Sequence, residues 1–179
     1  MKKILLAVLL SVAAVALVVA QAKPAPPANP LVSGMKMDLG MVKGYITKAA
    51  AQVPENLYAY KATPEVRSFG QLFGHIADSN YEMCAAAAGQ KPPVGGIEKS
   101  KTAKADLTKA LDESFAYCEK IFDGTTDLDA AKAVSFFGTQ FPKLAALGAN
   151  TSHDWEHYGN IVTYLRLNKM VPPSSQPSR

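Results

Sequence analysis

Helical spacing of apolar residues in four long segments is the feature that most restricts the fold of this 179-residue chain. The segments span about 36–53, 68–89, 102–122 and 142–168, and a proline or glycine lies at or shortly after the end of each. No stretch alternates polar and apolar residues over a useful length, so the sequence predicts no sheet. We therefore predict an all-α fold, a four-helix bundle.

The start of the second helix carries a local signal. Ser68 and Gln71 have the spacing of a capping box, in which each side chain accepts a hydrogen bond from the other residue's backbone N–H. This spacing predicts that the second helix begins at Ser68.

The first residues have the pattern of a signal peptide. Two lysines precede an apolar run that reaches Ala20 and is interrupted only by Ser11, and small residues follow. We predict a signal peptide over residues 1–22 and export to the periplasm or beyond, with no stable membrane insertion after cleavage. The alternative is a retained N-terminal anchor, because the run is nearly long enough to span a bilayer.

The stretch "KPAPPANP" at residues 23–30 indicates an extended tether. We predict a Pro-rich linker over 23–34, the helical bundle over 35–175 and a short tail at 176–179. Lys2 and Lys3 are the only charged residues before residue 21, so cleavage would lower the formal net charge from +4 to +2. Basic residues and aromatics are not interleaved, and we therefore expect no nucleic-acid partner.

Two cysteines, Cys84 and Cys118, admit two interpretations. Export would allow them to form a disulfide between the second and third helices. They could equally be two small buried hydrophobic residues.

Three histidines are candidate metal ligands. His153 and His157 are four residues apart, so their imidazoles lie above one another on the last helix, and His75 is the only other histidine. Helical geometry places all three about 120° from the apolar stripes, in a more polar groove at the edge of the core. Three neutral imidazoles suit Zn, Ni, Fe or Cu and leave coordination positions open, although a solvated pair is the simpler alternative.

The segment "HDWEH" also matches the inverted zinc-protease pattern, in which Glu156 would be the general base. That pattern requires an acidic third ligand downstream. No acidic residue follows Glu156, so the sequence does not favour a protease.

Other polar residues near the histidines in sequence are weaker candidates. Glu82 could be a general base or a fourth ligand, and is otherwise an exposed glutamate. Asp78, Asn150 and Asn160 could hydrogen-bond the ligand imidazoles from outside the coordination shell, or could face solvent.

Three segments resemble the DinB-like (DNA-damage-inducible, YfiT-related) family: "TPEVRSFGQLFGHIADSNY" at 63–81, "ESFAYCEK" at 113–120 and "NTSHDWEHYGNIVTYLRLNKMVPPSS" at 150–175. The resemblance implies an up-down-down-up four-helix bundle, often dimeric. It also implies that His75, His153 and His157 bind a divalent metal. Characterised members are thiol-dependent transferases and isomerases whose thiol cofactors are cytosolic, and a chain that is exported would depart from them.

The expected function is therefore that of an exported protein that binds Zn, Ni or Fe and acts as a metal-dependent hydrolase or group transferase on an unidentified small molecule. The alternative is a non-catalytic stress protein of the cell envelope that binds a metal or small ligand. A homodimer is expected from the resemblance.

Overall fold

The computed structural model describes residues 27–177, and the predicted signal peptide lies outside this range. Within it the chain forms six α-helices and two strands. They are α1 (Pro30–Gln52), α2 (Phe69–Ala87), α3 (Ile97–Ser100), α4 (Lys104–Asp123), α5 (Asp127–Ala130), β1 (Ala133–Phe136), β2 (Thr139–Pro142) and α6 (Lys143–Leu167). Two 3-10 turns, Glu55–Leu57 and Pro173–Ser175, complete the fold.

The four long helices, α1, α2, α4 and α6, enclose one apolar core. Helix α2 packs against α4 and α6, and α1 packs against the same two helices from the opposite corner. The largest fully buried side chains come from all four: Phe69, Phe73, Phe115, Phe122, Leu39, Ile46, Ile76, Leu107, Leu111, Leu147, Ile161 and Leu165. The predicted bundle is therefore present, and burial of these side chains is its main source of stability.

Helices α2 and α4 run parallel and are cross-linked. Asn80 Nδ2 donates to Ser114 Oγ at 3.2 Å, and Cys84 forms a disulfide with Cys118. Both pairs are separated by 34 residues, as parallel helices in one register require.

Two ion pairs and a hydrogen bond fix the directions of α1 and α6. On α1, Lys43 pairs with Glu119 and the earlier Lys36 pairs with the later Asp123, so α1 is antiparallel to α4. Helix α6 is antiparallel to α2, because Tyr164, near the C-terminal end of α6, bonds Arg67, just before the start of α2. The order α1, α2, α4, α6 therefore gives an up-down-down-up bundle.

The capping box at the start of α2 is confirmed. Gln71 N–H donates to Ser68 Oγ at 3.2 Å, and Ser68 N–H donates to Gln71 Oε1 at 2.9 Å. These bonds satisfy backbone donors that the helix leaves free. The local sequence thus fixes where α2 begins.

Helix α1 begins at Pro30, earlier than the predicted start near residue 36. Its first N–H groups are satisfied from far along the chain: Asp127 accepts from Leu31 N–H at 3.1 Å and from Val32 N–H at 2.9 Å. A distant carboxylate at a helix start leaves no local sequence signal, which explains the difference.

The prediction that the chain contains no sheet was wrong. β1 and β2 form a two-stranded antiparallel hairpin just before α6. Its turn, Phe137-Gly138, has positive φ at both residues (47° and 82°), as a two-residue hairpin turn of type I′ requires. Strands of four residues are too short to produce a recognisable alternation of polar and apolar residues.

Short helix α3 lies where the sequence predicts only a loop, and it packs closely on α2. Gly74 makes this approach possible, because a Cβ built there would lie 2.7 Å from Glu98 Cα. Among helices of the described residues, none combines the length and apolar character that crossing a membrane requires.

We predict that removing the disulfide in a Cys84→Ala/Cys118→Ala variant lowers the free energy of unfolding by about 3 kcal/mol. The cross-link closes a loop of 34 residues and so restricts the unfolded chain. Urea denaturation of the variant and of oxidised and reduced parent measures the effect. Two free thiols in the intact mass of the protein, purified without a reductant, would contradict the cross-link.

We predict that Gly74→Ala destabilises the protein by about 1–3 kcal/mol, because the new methyl group forces α3 away from α2. The matched control is Gly44→Ala in α1, where an added Cβ meets nothing within 4 Å. There alanine should raise stability by up to about 1 kcal/mol through helix propensity. Equal effects at both positions, measured by urea denaturation, would contradict the close approach.

Candidate metal centre

The three histidines converge between α2 and α6. His153 Nε2 lies 3.2 Å from His75 Nε2 and 3.0 Å from His157 Nε2. One ligand nitrogen from each ring lies within 4.8 Å of the other two. The antiparallel packing of the helices brings together residues that are 78 positions apart in the chain.

This geometry fits a metal ion. Nitrogen ligands bind Zn at about 2.0–2.1 Å, which places neighbouring ligand nitrogens about 3 Å apart, as they are here. Three Nε2 atoms that face one another cannot all be satisfied by sharing protons, whereas one cation accepts all three lone pairs. The donor set, neutral imidazole, suits Zn, Ni and Fe and does not choose among them.

Burial keeps these imidazoles neutral. It is the largest cause that lowers the pKa of each ring, and for His157, together with repulsion from His153, His75 and Arg67, it lowers the pKa to about 3. Neutral rings keep the lone pair that a metal requires. The site therefore needs little deprotonation to bind an ion at neutral pH.

Glu98, which the sequence analysis missed, contacts the first ligand. Its Oε2 lies 3.3 Å from His75 Nδ1, and its Oε1 accepts from Arg67 Nε at 3.0 Å. A carboxylate at Nδ1 holds the proton on that nitrogen and leaves Nε2 free for a metal. Glu98 lies 23 residues after His75 in a proline- and glycine-rich stretch, and no local pattern distinguishes it.

Asp78 forms no hydrogen bond or ion pair with an imidazole in the described structure and instead holds the backbone of α3. Its carboxylate accepts from Ile97 N–H and from Glu98 N–H, both at 2.9 Å. These bonds anchor the start of α3 to α2, one turn beyond His75. Asp78, predicted as a partner of an imidazole, thus supports Glu98, and Glu98 is the residue that contacts His75.

Asn160 lies beside the last ligand, with Nδ2 3.3 Å from His157 Nδ1. A His157 ring that gives its Nε2 lone pair to a metal carries its proton on Nδ1, so the Asn160 amide would then present its oxygen. Its role as an outer partner that orients the ring stays a prediction.

Asn150 lies in the core and forms no hydrogen bond with a histidine in the described structure. Its Nδ2 donates to Asn80 Oδ1 at 3.0 Å and to Asp154 Oδ2 at 3.3 Å. Burial raises the pKa of Asp154 well above its ordinary value, so this network favours a neutral carboxyl. Asn150 therefore links the helices and does not orient a ligand ring.

Glu82 is exposed on α2 and lines a shallow cavity with Asp78 and Glu98. It forms neither an ion pair nor a hydrogen bond with the three histidines in the described structure. Its predicted role as a general base or fourth ligand has no support from these contacts.

Comparison with known proteins agrees with this fold. A sequence model of the DinB superfamily matches residues 42–161. None of the curated proteins compared with the chain matches it significantly.

Two solved structures of DinB-like proteins share the fold. One, from Bacillus cereus ATCC 10987, has a TM-score of 0.71 and 14% sequence identity, with 79% of this chain and 95% of that chain covered. The other, from Bacillus subtilis, has a TM-score of 0.64 and 20% identity, with 84% and 100% covered. At these identities the likeness concerns the fold alone.

We predict that the metal-free protein loses stability as the pH falls from about 6.5 towards 3. The unfolded His157 takes up a proton near its ordinary pKa of 6.5, whereas the folded residue does so only near 3, so acid favours the unfolded chain. Urea denaturation at several pH values should give a shallower pH dependence for His157→Asn than for the parent. Asp154 is present in both proteins, so their difference isolates His157, and identical slopes would contradict the assignment.

Proposed function

This chain belongs to the DinB superfamily, and we propose that His75, His153 and His157 bind one divalent transition metal, Zn, Ni or Fe, at which a small molecule is hydrolysed or receives or donates a group. The observation that carries the proposal is the convergence of three Nε2 atoms, with spacings of 3.0 Å and 3.2 Å to His153. When bound, such a metal supplies a Lewis acid that polarises an oxygen of a small molecule or of water.

The protein's own residues prepare the site. Glu98 fixes the proton of His75 on Nδ1, and Asn160 orients His157 from the same distance. Three protein ligands, rather than four, leave room on the ion for a substrate, which is typical of catalytic sites. These residues hold and orient the imidazoles that would bind the ion.

Export is part of the proposal. The signal-like residues 1–22 support it, and so does the disulfide between Cys84 and Cys118, because such bonds persist in oxidising compartments. An exported protein would have no access to cytosolic thiol cofactors, so hydrolysis is favoured over thiol transfer. A homodimer stays a prediction.

We predict that untagged parent protein binds about one metal ion per chain and that His75→Ala abolishes this binding, because two ligands on α6 do not hold the ion without the third. Elemental analysis and a metal titration measure the stoichiometry and affinity. Glu98→Gln should weaken binding by about 10- to 100-fold by removing the carboxylate partner of His75.

Glu82→Ala is the matched control. Glu82 is an acidic residue of α2, the helix that carries His75, and in the described structure it forms no hydrogen bond or ion pair with the three histidines. The variant should bind metal as the parent does. Undiminished metal binding by His75→Ala would contradict the proposed site. Hydrolase and thiol-transferase substrates, assayed with and without chelator, then separate an enzyme from a non-catalytic metal-binding protein of the cell envelope.

A further inference from the structure

A cavity of about 580 Å³ lies at the start of α2, and Glu98, which contacts His75, is one of the residues that line it. Its walls come from the segment that follows α1, from the first turns of α2 and from α3 with the residues after it. Ser68 and Gln71 line it and lie seven and four positions before His75, on the same face of the helix. A cavity of this volume accommodates a small molecule.

The cavity carries an excess of positive charge. Three lysines, Lys61, Lys99 and Lys101, line it together with one carboxylate, that of Glu98. Arg67 pairs with Glu98 at 3.0 Å and so offsets that one negative charge. Among the described residues, no carboxylate forms an ion pair with the three lysines.

Glu98 lies between the cavity and His75. The same carboxylate that lines the cavity lies 3.3 Å from His75 Nδ1, so a molecule in the cavity lies one side chain away from the first ligand. Charged lysines around a concave volume attract an anion of matching size, and low-dielectric walls strengthen that attraction.

We infer that this cavity binds the anionic group, a carboxylate or a phosphate, of the small molecule that the three-histidine site acts on. The lysines hold the anion, and Arg67 keeps the carboxylate of Glu98 from repelling it. This inference names the substrate class for the proposed function and rests on it, but the binding of the anion to the cavity is measured without a metal.

The test is a titration of metal-free, ¹⁵N-labelled protein followed by NMR. Phenyl phosphate and benzoate are the anionic probes, and benzyl alcohol is the uncharged probe. Both anions should shift the amide signals of residues 68–71 and 98–102, and benzyl alcohol should not. Rising salt should weaken the binding, because the attraction is between charges. Comparison of the two anions tells which group the cavity prefers.

Charge variants assign the binding to the cavity. Lys99→Ala/Lys101→Ala should weaken binding by at least about 5-fold, since each exposed charge pair contributes modestly. Arg67→Gln should also weaken it, because Glu98 then faces the anion without its partner. The control Lys109→Ala/Lys120→Ala removes the same charge from exposed positions of α4 and should leave the affinity unchanged.

Equal weakening in the control would overturn the inference, because the effect would then be one of net charge alone. Anion shifts confined to α6, or seen only after metal is added, would overturn it too, since the anion would then be held at the ion and not in the cavity. Metal content, measured without anion, tests the proposed function separately: its failure leaves the titration result standing, and failure of the titration leaves metal binding standing.

Discussion

The register between α2 and α6 is the constraint on which the site depends. Two polar contacts set it: Tyr164 OH donates to the Arg67 carbonyl at 2.8 Å, and Asn150 Nδ2 donates to Asn80 Oδ1 at 3.0 Å. Buried polar groups are costly without partners, so the helices are most stable where both contacts form together. The histidines lie between these two contacts in both helices. The same register that forms these two contacts therefore brings the imidazoles together.

Local patterns in the sequence were enough to predict the long helices. Apolar spacing indicates α1, α2, α4 and α6, and the Ser68 capping box fixes the start of α2 to the residue. The features that were missed depend on distant partners. The early start of α1 needs Asp127, which lies 96 residues from Leu31, and α3 needs contact with α2. Interactions between residues so far apart leave no periodic signal in the chain.

Some residues of the site likewise follow from local sequence patterns, and others depend on distant contacts. The i, i+4 spacing of His153 and His157 indicates that both could bind one metal ion, and the family resemblance adds His75 as the third histidine. Glu98 could not be found in this way, because its position follows from Asp78 and from the space left by Gly74. Asn150 was predicted to hydrogen-bond a histidine ring, and it bonds Asn80 and Asp154 in the core instead. A single sequence does not distinguish these two kinds of partner. The sequence thus indicated the three histidines that meet in the structure, and packing determined their neighbours.

The cross-link between Cys84 and Cys118 has a mechanical consequence. It ties α2 to α4 near the end of α2 opposite the capping box, so these two parallel helices cannot slide past each other. His75 belongs to that fixed half of the molecule, and His153 and His157 belong to α6. Any widening of the gap between the helix backbones that carry the imidazoles therefore requires displacement of α6 relative to the α2–α4 pair.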